Sequence, residues 1–119
     1  MLAAAALIVG SATAIAEEAP YDDTLVRLAE ALGALHHLRP LCGAIGETQT
    51  WREQMAAVLE AEQPSPERRA RIVDRFNQSY RGLAAIHRSC TPAARALAET
   101  WRREGETLGR DLVARWGHG

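Results

Sequence analysis

Apolar residues recur along the chain at three- and four-residue intervals, a pattern that predicts four helices and no convincing strand. The first helix covers about 22–39, with Asp22 or Asp23 as N-cap and Pro40 as its stop. Leu25, Leu28, Ala29, Leu32, Leu35 and His36 fall on one stripe of it. The second opens at Thr50-Trp51-Arg52-Glu53, which has the form of a capping box, and turns Trp51, Met55, Val58 and Leu59 inward before Pro64. Ser65-Pro66 starts the third, a hydroxyl cap followed by proline at the first helical position. Its inward stripe is Ile72, Val73, Phe76, Tyr80, Leu83 and His87. Thr91-Pro92 repeats the device for the fourth, which aligns Ala94, Leu97, Ala98, Trp101, Leu108, Leu112 and Trp116. Gly105 and Gly109 share that face. Because each costs about 1 kcal/mol in a helix interior, they are expected to mark a close approach of a neighbouring backbone.

The connections, 40–49 and 63–65, are short, and short connections favour antiparallel neighbours. The expected fold is therefore all-α, an antiparallel up-down-up-down four-helix bundle. That order brings the ends of the first and third helices to one pole, where Cys42 and Cys90 stand.

Residues 2–9 form an apolar run too short for a membrane span, which needs about 20 residues. Ala14, Ile15 and Ala16 then give the small-x-small form of a secretory cleavage site, and Glu17 and Glu18 begin the polar chain. No basic residue precedes the apolar run, which departs from the usual signal pattern. Residues 1–16 read as a cleaved signal peptide and 17–119 as a single periplasmic domain without a transmembrane span. Oxidising compartments favour pairing of the two cysteines. A Cys42–Cys90 bond would close a loop of about 49 residues and contribute about 4 kcal/mol through chain entropy.

The 119 residues carry a formal charge of −1, which gives no overall polyelectrolyte character and no pointer to nucleic acid. Every basic residue is arginine. The distribution is uneven: residues 65–103 hold nine arginines against Glu67, Asp74 and Glu99, and the remainder is correspondingly acidic. Arg68, Arg71 and Arg75 share one edge of the third helix, a candidate surface for an anionic partner such as lipid headgroups, a cell-wall polymer or an acidic envelope protein.

His36 and His87 sit in the last turns of the first and third helices, close to the cysteines in the expected fold. The four have the composition of a tetrahedral zinc site, but their spacing matches no compact zinc motif and a disulfide would consume the thiolates. A metal- or pH-responsive protein using His36 and His87 is the alternative reading. His37 points off the stripe and reads as a solvated flank, and His118 belongs to the tail. Ser65, Ser79 and Ser89 lack a nucleophile-elbow motif, and Glu99, Glu104 and Glu106 read as a solvated helix face. No catalytic residue and no cofactor is expected, and an envelope hydrolase with an unrecognised site is the remaining alternative.

The stretch Tyr21-Asp22-Asp23, then Leu28-Ala29-Glu30-Ala31-Leu32-Gly33-Ala34-Leu35-His36-His37-Leu38-Arg39-Pro40-Leu41-Cys42-Gly43, is followed by Trp51-Arg52 with Met55. Phe76-Asn77 with Tyr80-Arg81, and Arg88-Ser89-Cys90, come later. In these landmarks the chain resembles, over about 21–110, a small secreted alphaproteobacterial family built on a domain of unknown function. The resemblance implies export and a two-cysteine helical domain, and it assigns no catalytic residue. Together these readings lead to the expectation of a non-enzymatic interaction protein of the cell envelope.

Overall fold

The computed structural model describes residues 19–116. They form helices α1 (Asp22–Leu41), α2 (Thr50–Glu62), α3 (Pro66–Ile86) and α4 (Pro92–Trp116), with one 3₁₀ turn, Ile45–Glu47, between α1 and α2. No strand occurs among the described residues. The leader assigned to residues 1–16 and the tail histidine His118 lie outside them. Among the described residues no helix is long and apolar enough to cross a membrane.

The bundle is built around α1. Besides the expected stripe, Ala31, Gly33, Ala34 and Leu38 are buried, so α1 is covered on nearly every side. Each of the other helices packs its own apolar stripe on α1, and the outer helices scarcely touch one another. α3 runs parallel to α1: Arg68 meets Asp22 near their starts, and Cys42 bonds Cys90 beyond their ends. α2 and α4 run antiparallel to α1, as Tyr21 with Glu62 and Arg27 with Glu104 show. The core has two clusters. One joins Leu25, Leu28, Leu32, Met55, Leu59, Ile72 and Phe76; the other joins Ala34, Leu38, Ala94 and Ala98 beneath the disulfide. The Cys42 and Cys90 Cα atoms are 5.0 Å apart, at the pole the topology requires.

Helix ends follow the sequence where proline fixes them. Ser65 Oγ accepts from the Arg68 N–H at 3.3 Å, and Thr91 Oγ1 from the Ala94 N–H at 3.0 Å. Elsewhere they differ. α1 continues through Pro40 to Leu41, because losing one amide donor in a last turn costs little; the Cys42 N–H still reaches the Leu38 carbonyl at 3.0 Å. Its N-cap is Tyr21, with no side-chain cap bond, since the Asp22 carboxylate is turned to arginines of α3. The capping box at Thr50 does not form. Gln49 is the cap residue and no side chain caps the helix, so Thr50 is already its first residue.

The close approach lies elsewhere than the two glycines of α4. A methyl at Gly105 would meet Ala31 at an ordinary 3.7 Å, and one at Gly109 would find nothing within 4 Å. Gly33 on α1 is the contact glycine. A methyl there would overlap the Phe76 carbonyl oxygen and stand 3.0–3.1 Å from that residue's carbonyl carbon and Cα. At the same crossing the Ser79 hydroxyl donates to the Glu30 carbonyl at 2.8 Å.

Candidate anion-binding surface and cleft

The edge of α3 that carries Arg68, Arg71 and Arg75 is paired with acids of α1 and α2. Arg68 donates to both oxygens of Asp22 at 2.7–3.2 Å and to Glu62 at 2.8 Å, and Glu62 also accepts from the Tyr21 hydroxyl at 2.7 Å. The Arg68 and Asp22 side chains are only 12% and 8% exposed. Burial alone would raise the Asp22 pKa, but the hydrogen bonds and charge of Arg68 outweigh it and hold the carboxyl below its ordinary value. The same bonds to Asp22 and Glu62 raise the Arg68 guanidinium. Arg71 reaches Asp22 at 3.3 Å, and Arg75 reaches Glu30 at 3.6 Å. Glu30 in turn pairs with Arg27, which bonds Glu104 on α4 and covers the Trp101 ring. Arg68 therefore ties α3 to α1 and α2, while Arg71 and Arg75 keep two-fifths or more of their side chains exposed.

Other arginines remain unneutralised. Arg52, Arg69, Arg81 and Arg88 are exposed and make no ion pair among the described residues. Arg52 and Arg69 line the cleft left where α2 and α3 pack on α1 but not on each other. A narrow lobe between them is floored by Met55, Phe76 and Asn77. A larger lobe of about 520 Å³ opens toward the disulfide pole, walled by His36, His37, Thr48, Gln49, Arg52 and Tyr80. On the other side of α2, an apolar groove of about 540 Å³ runs along α4 over Leu28, Leu32 and Leu35.

His36 forms part of the large lobe yet is only 8% exposed. Its ring lies against Tyr80 at 4.9 Å and Phe76 at 5.6 Å between centroids. Its Nδ1 is buried with no hydrogen-bond partner. Burial, reinforced by the charges of Arg52 and His37, pushes its pKa below the ordinary histidine value. His37 is no solvated flank: it is half-buried, and its Nε2–H donates to the His87 carbonyl at 2.7 Å, satisfying an acceptor just past the end of α3. The helical wheel missed this because the partner is loop backbone, which no side-chain stripe encodes.

The four-residue zinc composition does not survive as a ligand set, since both sulfurs are in the disulfide. Among the described residues no group of three metal-ligating side chains is assembled. His36 packs into α3, and His87 offers its carbonyl to His37. The serines are also committed or apart: Ser65 caps α3, Ser79 bonds Glu30, and Ser89 is exposed in the loop. Glu99 and Glu106 pair with Arg102, and Glu104 with Arg27. Tyr80 and Asn77 line neighbouring lobes while Arg81 faces solvent, so the three share no single site. Sequence reading passed over Arg52 because a single arginine in the first turn of α2 belongs to no charge cluster.

The fold and site together define a small disulfide-stapled helical domain, organised around one central helix and carrying an arginine-lined cleft. The chain belongs to the family described as protein of unknown function (DUF2385), which it matches over residues 20–116, spanning all four helices and both cysteines. No curated protein and no solved structure matches it.

Proposed function

We propose that this is an exported, non-catalytic binding domain of the periplasm that engages an anionic component of the cell envelope. One observation carries the reading. After the fold has formed its internal ion pairs, Arg52, Arg69, Arg81 and Arg88 still stand exposed without acidic partners among the described residues. Glu53, Glu60, Glu67 and Asp74 are also exposed on these two helices, so the attraction for an anion is local to each guanidinium, and it weakens as salt rises. The leader-like residues 1–16 and the Cys42–Cys90 bond support the compartment. Arg71 and Arg75, on the other edge of α3, pair with Asp22 and Glu30 and stay partly exposed, while Arg68 serves the fold.

Co-sedimentation tests this with phosphatidylcholine vesicles, the same vesicles containing phosphatidylglycerol, and purified peptidoglycan sacculi. Wild type is expected to bind at least one anionic material and to leave pure phosphatidylcholine. An Arg69/Arg81→Glu variant removes charges that bond nothing in the fold. It should bind at least about tenfold more weakly, since each surface arginine contributes about 1 kcal/mol near an anionic interface. Equal binding by the variant, or no preference for anionic material, would refute the reading.

A further inference from the structure

Two isoleucines stand at the disulfide pole with most of their surface in water. Ile45, the first residue of the 3₁₀ turn, is 78% exposed, and Ile86, the last residue of α3, is 73% exposed. Neither joins the core clusters. A single exposed apolar side chain needs no explanation, but these two are brought to one end of the bundle. Ile45 lies three residues beyond Cys42 and Ile86 four before Cys90, and the bond holds those cysteines 5.0 Å apart between Cα atoms. Gly43, Gly46, Pro92 and Ala93 are exposed in the same segments and bring no charge to the tip.

The charge around this tip is positive in surplus. Arg81, Arg88 and Arg95 are exposed and make no ion pair among the described residues. Arg88 lies between Ile86 and Cys90, Arg95 in the first turn of α4, and Arg81 little more than one turn before Ile86 on α3. The acids of this end are offset. Glu47 pairs with Arg39 at 2.8 Å, Glu99 with Arg102 at 2.7 Å, and Glu53 is exposed beside Arg52 in the sequence. Residues 37–53 thus carry two arginines and two glutamates, and residues 81–99 three arginines against Glu99. The opposite pole also exposes Val113 and Trp116 but has no such surplus: Asp22 and Asp23 begin α1 there, and Arg68 is spent on Asp22 and Glu62. We propose that the disulfide pole docks on an anionic bilayer surface, with Ile45 and Ile86 entering the interface and Arg81, Arg88 and Arg95 meeting lipid phosphates. The inference rests on the reading of an anionic envelope partner and commits it to a membrane surface, because a peptidoglycan strand offers no apolar interior to two isoleucines. Arginine suits the place: its stem lies along apolar surface while the guanidinium stays at headgroup level.

The test is co-sedimentation of the oxidised protein with phosphatidylcholine vesicles, the same vesicles containing phosphatidylglycerol, and sacculi. Ile45→Ser/Ile86→Ser keeps every charge, and side chains this exposed can change without moving the melting temperature, which is measured alongside. Wild type is expected on the vesicles containing phosphatidylglycerol. The double variant should bind them at least about tenfold more weakly, since two isoleucines no longer leave water. Val113→Ser, equally exposed at the other pole, should bind as wild type does. Amide exchange on these vesicles should slow at residues 43–46 and 86–91. Equal binding by the double variant, an equal loss in Val113→Ser, or binding to sacculi alone would overturn docking by this pole and leave the anionic reading standing. Binding to pure phosphatidylcholine that the double variant loses would support insertion and remove the anionic reading. No binding to any of the three materials would remove both.

Discussion

Gly33 and Gly109 are both helical glycines, and the structure assigns opposite signs to the same substitution. Replacing glycine by alanine in a helix interior ordinarily stabilises by up to about 1 kcal/mol, through backbone entropy alone. At Gly109 the new methyl meets nothing within 4 Å, so Gly109→Ala should realise most of that gain. At Gly33 the methyl overlaps the Phe76 carbonyl and presses on backbone atoms at 3.0–3.1 Å, which cannot rotate away as a side chain would. α3 is further pinned by the Ser79–Glu30 hydrogen bond on one side of this crossing and by the disulfide beyond its end. Overpacking of this kind costs about 1–3 kcal/mol and here exceeds the propensity gain, leaving Gly33→Ala destabilised by about 1–2 kcal/mol. For a domain of this size each kcal/mol moves Tm by about 4–8 °C, so a gap of about 2–3 kcal/mol should separate the two variants by about 10–20 °C. Urea unfolding and calorimetry under oxidising conditions measure both. A Gly33→Ala protein as stable as wild type would refute the close packing of α1 on α3.

Three further outcomes follow from the same contacts. Arg68→Ala strands the Asp22 and Glu62 carboxylates at a mostly buried site and should cost about 3 kcal/mol in urea unfolding at neutral pH. The loss should shrink in acid, because the depressed Asp22 pKa contributes stability that is present above about pH 4 and disappears as pH falls through the folded-state value. His36 acts on a higher range. Its folded pKa is lowered by burial, and Arg52 and His37 also oppose its charging, so the unfolded chain takes up the proton first. Stability should therefore decline as pH drops below about 6.5, and His36→Phe should flatten that slope in pH-dependent melts. Reduction of the disulfide, or Cys42→Ser with Cys90→Ser, should lower stability by about 4 kcal/mol, read as a shifted urea midpoint with and without dithiothreitol.

The topology was legible because each helix carries local signals that agree with its neighbours. Ser65-Pro66 and Thr91-Pro92 mark starts that the structure reproduces, and the short loops force the alternation that brings Cys42 to Cys90. The central place of α1 was less visible. Apart from Asp22 and Leu38, its extra buried positions are alanines and a glycine, which a search for large apolar residues passes over. The Thr50 capping box failed for a related reason: the Ile45–Glu47 turn starts the helix one residue early, and turns of that kind have no strong local code. The glycine signal was real but was placed on the wrong helix, since propensity marks a cost without saying which neighbour justifies it. The arginine cluster of α3 was visible as charge, yet which members face acids depends on distant residues such as Asp22 and Glu30. Arg52 and the unpaired His36 nitrogen emerge only once α2 is laid beside α1 and α3.

The most direct measurement is the intact, non-reduced mass of the protein isolated separately from the periplasmic and cytosolic fractions of the cells that make it. An exported, once cross-linked domain predicts a chain that begins near Glu17 and is lighter by two hydrogens than its reduced form. A cytosolic chain that retains residues 1–16 and has both thiols free would contradict it.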